Sequence, residues 1–238
     1  MSILRVIILI LTSLTVEAAG YELQVLVSSS PFHGVHGMDF DSKGILYVGD
    51  IMGMSVHKVD IKTGTTESVV GPPYGGADDV KVGPDGTLVW TNLISGIIFA
   101  RSPDGIIREL ATGLPGINTV GFHPDGRLFA TQPRGLDALY EIDMAGIKPP
   151  RIIFQPSGGL NGFVIMDDGY LYGPQGTLGT VVRVDLASGK HKVLADGFHD
   201  PTGVKSDSRG NLYVNELVTG TLYRFDPNTG EKTIIAQL

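Results

Sequence analysis

Five polar side chains recur along this chain at near-constant intervals: His36, Asp78, Asn118, Asn161 and Thr202. Their separations are 42, 40, 43 and 41 residues. All five can offer oxygen or nitrogen ligands. They precede Gly37, Asp79, Thr119, Gly162 and Gly203, so the backbone beside them is often unencumbered. A ring of Asp, Asn and carbonyl oxygens suits a hard cation such as calcium. An added imidazole admits zinc or manganese. A cation held in this way polarises a carbonyl and lowers the pKa of bound water. Loop-to-strand junctions also favour Asn, Asp and Gly for turn geometry alone. Both readings stay open from the residues themselves.

A repeat of about forty residues must position these side chains. Its copies are MDFDSKGILYVGD (38–50), VKVGPDGTLVWTN (80–92), VGFHPDGRLFATQ (120–132), FVIMDDGYLYGPQ (163–175) and VKSDSRGNLYVNE (204–216). Each is two alternating segments joined at a turn glycine: Gly44, Gly86, Gly126, Gly169 or Gly210. Alternation over four to eight residues predicts half-buried strands, and Asp-Gly pairs predict tight hairpins. A third strand follows in each copy, as in SVHKVDIKTG (55–64) or TLYRFDPNTG (221–230). A fourth follows that: TTESVV (65–70), IIREL (106–110), RIIF (151–154), HKVLA (191–195) and EKTIIAQL (231–238). Four antiparallel strands per repeat of this length make a β-propeller blade.

The fold class is therefore all-β, a β-propeller with five four-stranded blades at about 36–73, 77–115, 117–159, 160–200 and 201–238. YELQVLV (21–27) also reads as a strand and has no blade to complete. The expectation is a six-bladed propeller lacking its last blade. The rival is a closed five-bladed ring decorated by 21–27. The recurring polar residues would then sit at one mouth of the central channel, one per blade.

Residues 1–19 have the layout of a secretory signal peptide. Arg5 precedes an apolar run from Val6 to Leu14, and small residues follow at Ala18 and Ala19. The run is short for a bilayer span. The domain, 20–238, is expected to be secreted or periplasmic, with no membrane span after cleavage. The chain has 238 residues, 42% of them hydrophobic, enough for one sizeable core, and a formal charge of −7. No basic footprint for nucleic acid is present. There is no cysteine, which excludes disulfides, thiolate metal sites and cysteine nucleophiles.

Three stretches resemble the gluconolactonase and senescence-marker-protein family of six-bladed propellers. They are INTVGFHPDGRLFAT (117–131), LNGFVIMDDGYLY (160–172) and PTGVKSDSRGNLYVNELVTGTLYRFDPNTGE (201–231). The resemblance implies one divalent metal in the channel and hydrolysis of a small lactone or ester. Asn118 and Asn161 match the two Asn ligands of the family. His36 stands where the family has Glu, and Thr202 where it has Asp. Both family carboxylates are thus replaced, and Asp78 or Asp200 would have to activate water. The metal set implied is His36, Asn118 and Asn161, with calcium, zinc or manganese. GADDVKVGPDGTLVWTN (76–92) is similar to a blade of the virginiamycin B lyase type, for which His36 and Glu216 have the right residue types.

No G-x-S-x-G elbow, P-loop or H-x-x-x-H zinc spacing occurs. His57, His123 and His191 fall within strands or turns and read as structural. His33 reads as a solvated loop residue. Trp90 reads as core between blades. The expected function is a metal-dependent lactonase-type hydrolase acting on a small molecule. The alternative is a non-catalytic propeller that binds a protein, peptide or small molecule on its top face.

Overall fold

The five hairpin glycines take φ between 78° and 90°, which a side chain would resist, and each closes a tight turn between two strands. The computed structural model describes residues 24–28 and 31–237. The proposed signal peptide lies outside them. Residues 24–27 carry no strand, so the expected strand at 21–27 is not formed over its described part. Among the described residues, no helix is long and apolar enough to cross a membrane.

The first blade consists of β1 (Val35–Phe40), β2 (Leu46–Asp50), β3 (Ser55–Val59) and β4 (Thr66–Val70). The second has β5 (Val80–Val82), β6 (Leu88–Asn92), β7 (Ile97–Arg101) and β8 (Ile107–Ala111). The third has β9 (Val120–Phe122), β10 (Leu128–Gln132), β11 (Ala138–Ile142) and β12 (Arg151–Phe154). The fourth has β13 (Val164–Ile165), β14 (Tyr170–Gln175), β15 (Thr180–Asp185) and β16 (His191–Ala195). The fifth has β17 (Pro201–Ser206), β18 (Leu212–Glu216), β19 (Thr221–Phe225) and β20 (Lys232–Gln237). Each blade is a separate four-stranded antiparallel sheet in sequence order, as the repeat predicts.

The core lies between the blades. Val56, Val80 and Trp90 join the first blade to the second, and Val89, Val120 and Leu128 join the second to the third. Phe129, Phe163 and Leu171 follow, then Tyr172, Val204 and Val214. Trp90 is fully buried, stacks on Phe99 and donates to the Tyr74 carbonyl at 2.9 Å. The opposite face of the first blade, Leu46, Val48 and Val59, is covered by Val27 and Phe32.

The fifth and first blades instead border a cleft. Leu222 faces Asn215 across β18 and β19, in the register position of Val56, Ile98, Leu139 and Val181. Those four are fully buried, whereas Leu222 is half-buried. On β1, Val35, Met38 and Phe40 are exposed.

A second repeated device holds the blades to their connecting loops. The last residue of every second strand is polar and buried: Asp50, Asn92, Gln132, Gln175 and Glu216. Each reaches the loop leading into its own blade. The two carboxylates accept from backbone amides, Asp50 from His33 N at 3.0 Å and Glu216 from His199 N at 2.7 Å. The three amides donate to carbonyls: Asn92 to Gly75 at 2.7 Å, Gln132 to Pro115 at 2.7 Å and Gln175 to Ser157 at 2.9 Å. Acid meets N–H and amide meets C=O, so each of these five side chains is matched to its loop.

Candidate functional site

At Gly37 and Gly162 the inner strands approach their neighbours so closely that a side chain has no room. Gly37 donates to the Asp78 carbonyl at 2.7 Å, and a Cβ on Gly37 would collide with Asp79. Gly162 donates to Thr202 O at 2.9 Å, and its own carbonyl accepts from Val204 N at 2.7 Å. Side chains flanking these glycines form the channel mouth.

His36 and Asp78 meet there. Asp78 Oδ1 lies 3.5 Å from His36 Nδ1. The imidazole is 52% exposed, while Asp78 is 1% exposed. Asp78 Oδ2 is a buried oxygen with no hydrogen-bond partner among the described residues. Burial raises the Asp78 pKa to about 6; the His36 ring opposes this and the Asp79 carboxylate adds to it. A carboxylate poised near neutrality beside an open imidazole has the character of acid–base machinery.

The other ring positions divide into two groups. Asn161 and Thr202 join His36 in lining the cleft of about 380 Å3 between the first and fifth blades. Thr202 Oγ1 accepts from Asn215 Nδ2 at 2.9 Å. Asn118 is buried, with Oδ1 accepting from Thr119 Oγ1 at 3.0 Å and its carbonyl accepting from the Thr91 hydroxyl. Asp200 lies on the exposed loop before β17 with φ of 51°, and it is not among the residues lining the cleft. Glu216 is engaged with His199 N and the Thr219 hydroxyl, so it serves the loop rather than pairing with His36.

Among the described residues, no three of His, Cys, Asp or Glu gather around one point. A cation at this mouth would depend on Asp78, whose Oδ2 lone pairs meet no protein donor, and on the amide oxygens of Asn118 and Asn161. That donor set is hard and oxygen-rich, and it fits calcium better than zinc. The remaining histidines are elsewhere. His57 bonds Ser55 Oγ at 2.7 Å, and its same Nε2 is 3.6 Å from Asp50. One nitrogen serves both contacts, so this is no proton relay. His123 pairs with Asp125 at 2.7 Å, and His33 is 72% exposed.

Three positions beyond the ring, the channel carries a second set that the repeat register would have disclosed. Asp39, Lys81 and Lys205 stand there, with Gly121 and Val164 completing the circle. Asp39 Oδ2 accepts from Val82 N at 3.0 Å and ties the first blade to the second. Asp79 ties the second to the third, its Oδ2 accepting from Val120 N at 3.1 Å.

No family model and no curated relative matches this sequence. Solved structures do match its fold. A virginiamycin B lyase from Staphylococcus aureus is 17% identical over 89% of this chain and 72% of its own, with a TM-score of 0.69. The calcium-binding protein regucalcin from Agrobacterium tumefaciens is 19% identical over 87% of this chain and 75% of its own, with a TM-score of 0.68. A chain of the nidogen–laminin complex is 23% identical over 84% and 78%, with a TM-score of 0.74. At these identities the likeness is one of fold. It reaches the two propeller types that the sequence resembles, the lyase and the gluconolactonase group that includes regucalcin. The nidogen–laminin match shows that the same architecture also serves in a protein complex, so fold does not choose the activity.

Proposed function

We propose that this propeller hydrolyses a small lactone or ester at the mouth formed by His36 and Asp78. The carrying observation is the buried Asp78 carboxylate facing an exposed imidazole across 3.5 Å, beside a cleft of about 380 Å3. Asp78 Oδ1 faces His36 Nδ1 and favours the tautomer protonated there. Nε2 is then left as the base. His36 removes a proton from water as the water attacks the substrate carbonyl. The imidazolium, stabilised by Asp78, returns the proton to the leaving alkoxide oxygen. The Asn161 amide, which lines the cleft, would donate to the developing oxyanion. Asp78, Asn118 and Asn161 would hold a divalent cation. Such a cation supplies Lewis-acid polarisation of the carbonyl. The likeness to a calcium-binding relative supports calcium among the candidates.

A panel of lactones and aryl esters, assayed with and without calcium, manganese or zinc, tests the proposal. Turnover lost in His36→Gln and in Asp78→Asn, with both variants folded, is the expected result. If the wild-type protein turns over no substrate under any condition, the hydrolase reading fails. The alternative, a binding propeller, has its own observation: Val35, Leu217 and Leu222 give the same cleft an apolar side. That reading predicts saturable ligand binding indifferent to chelators.

A further inference from the structure

Deeper in the channel, two lysines from different blades face each other. Lys81 on β5 is buried and uses its three donors on Met38 O at 3.4 Å, Asp79 Oδ1 at 3.2 Å and Val80 O at 3.0 Å. Burial pulls its pKa down, but the Asp79 and Asp39 carboxylates overcome this and hold the ammonium above the usual lysine value. Lys81 is therefore a cation fixed by its acceptors, and Lys205 lies within hydrogen-bond reach of it.

Lys205 on β17 is different. It is exposed, lies on the lining of the channel chamber and forms no ion pair with a carboxylate among the described residues. Desolvation holds its pKa down at about 8, the Lys81 ammonium assists, and Asp79 and Asp39 oppose. Its cross-strand neighbour Tyr213 directs its hydroxyl to Asp207 at 3.2 Å. The amine borders a cavity of about 560 Å3 walled by Met38, Phe40, Phe122, Phe163 and Ile165. An amine in no ion pair among the described residues, a buried cation beside it and a chamber walled largely by apolar side chains, with Asp39 and Lys81 on the same lining, are conditions that activate lysine as a nucleophile.

We propose that Lys205 is a carbonyl-capturing residue, forming a Schiff base with small apolar aldehydes or ketones in the channel chamber. The Nζ lone pair attacks the carbonyl carbon and the C=O π pair moves to oxygen. Both protons of the neutral amine leave on that oxygen as water, and the C=N bond remains. A proton from solvent then gives the iminium. No oxidant, reductant or cofactor is consumed. The inference stands apart from the hydrolase reading, because it uses neither His36 nor Asp78.

Reductive trapping tests it. The full chain is incubated with benzaldehyde and sodium cyanoborohydride at pH 7.5, digested, and each lysine's labelling is followed by mass spectrometry. Lys205 should label about tenfold or more faster than the exposed Lys43, Lys62 and Lys148, because far more of its amine is neutral at that pH. Its rate should level off above pH 8 to 9, while the others continue to rise beyond pH 10. Lys205→Arg, which keeps the charge, should abolish the fast label and leave the slow ones. Labelling of Lys205 in wild-type protein no faster than Lys43, or a rate rising with the others through pH 10, would overturn the proposal.

Discussion

Replacing Asp78 with Asn should shift stability in the variant's favour as the pH rises from 4 to 7.5. The folded carboxyl binds its proton more tightly than the unfolded one, with a pKa raised from 3.8 to about 6 by burial. Its contribution to stability is fully present below pH 3.8. It is lost as the pH rises through 6, because the ionised form is dehydrated. At 1.36 kcal/mol per unit, the full cost of ionising it in place is about 3 kcal/mol. An asparagine carries the same shape and no charge. Any fixed penalty from its unpaired N–H cancels when one variant is compared with wild type across pH. The difference in unfolding free energy, variant minus wild type, should therefore grow by about 2.5 kcal/mol from pH 4 to pH 7.5. In a domain of this size that corresponds to a relative rise in Tm of roughly 5 to 10 °C. Urea unfolding at half-unit pH steps measures it, with equal m-values as the check on a common unfolded state. A difference that stays flat from pH 4 to 7.5 would show that Asp78 ionises as freely as in water. The argument from its buried, unpartnered oxygen would then be wrong. A gain in stability with loss of turnover would mark Asp78 as a residue kept for function at a cost in stability.

Three further outcomes follow from the same structure. The pH profile of kcat/KM for ester hydrolysis should fall below about pH 6, as Asp78 takes up a proton and ceases to support His36; activity unchanged down to pH 5 would remove Asp78 from the reaction. Gln132→Glu should destabilise the fold by about 2 to 4 kcal/mol in chemical denaturation, because a carboxylate would face the Pro115 carbonyl that now receives an N–H. Glu216→Gln should be milder, since an amide oxygen can still accept from His199 N, so similar losses in both would contradict the acid-to-amide matching. Gly37→Ala should cost about 3 kcal/mol or more by driving a methyl into Asp79, and a thermal melt indistinguishable from wild type would show that the inner strands are less tightly apposed.

Much of the architecture was legible because it is local. The turn glycines at 44, 86, 126, 169 and 210 mark every first hairpin, and the flanking alternation finds the two strands beside each, with β1 and β17 beginning three residues before the repeat copies. The strand expected at 21–27 misled for the same reason: alternation describes a segment that suits a strand and cannot supply a partner edge. The loop ties were in plain view as well. Each of the five repeat copies ends on Asp, Asn, Gln, Gln or Glu, a pattern that was not read as structural and that leaves Glu216 holding a loop.

The sequence by itself determined the repeat, the strand order and the polar character of one residue per blade, because turn chemistry and two-residue alternation are properties of neighbouring residues. Only the tertiary structure decided how each of those polar groups is surrounded. His36 and Asp78 belong to different blades, and nothing in either blade alone reveals that one is open to water while the other is sealed behind it. Asn118 and Asn161 look equivalent in the repeat, yet one is buried and hydrogen-bonded and the other faces the cleft. Lys81 and Lys205 share a register position, and one is held by three acceptors while the other forms no ion pair among the described residues. Burial and charge pairing are set by what the neighbouring blades bring to the channel axis, and that is information only the assembled blades contain.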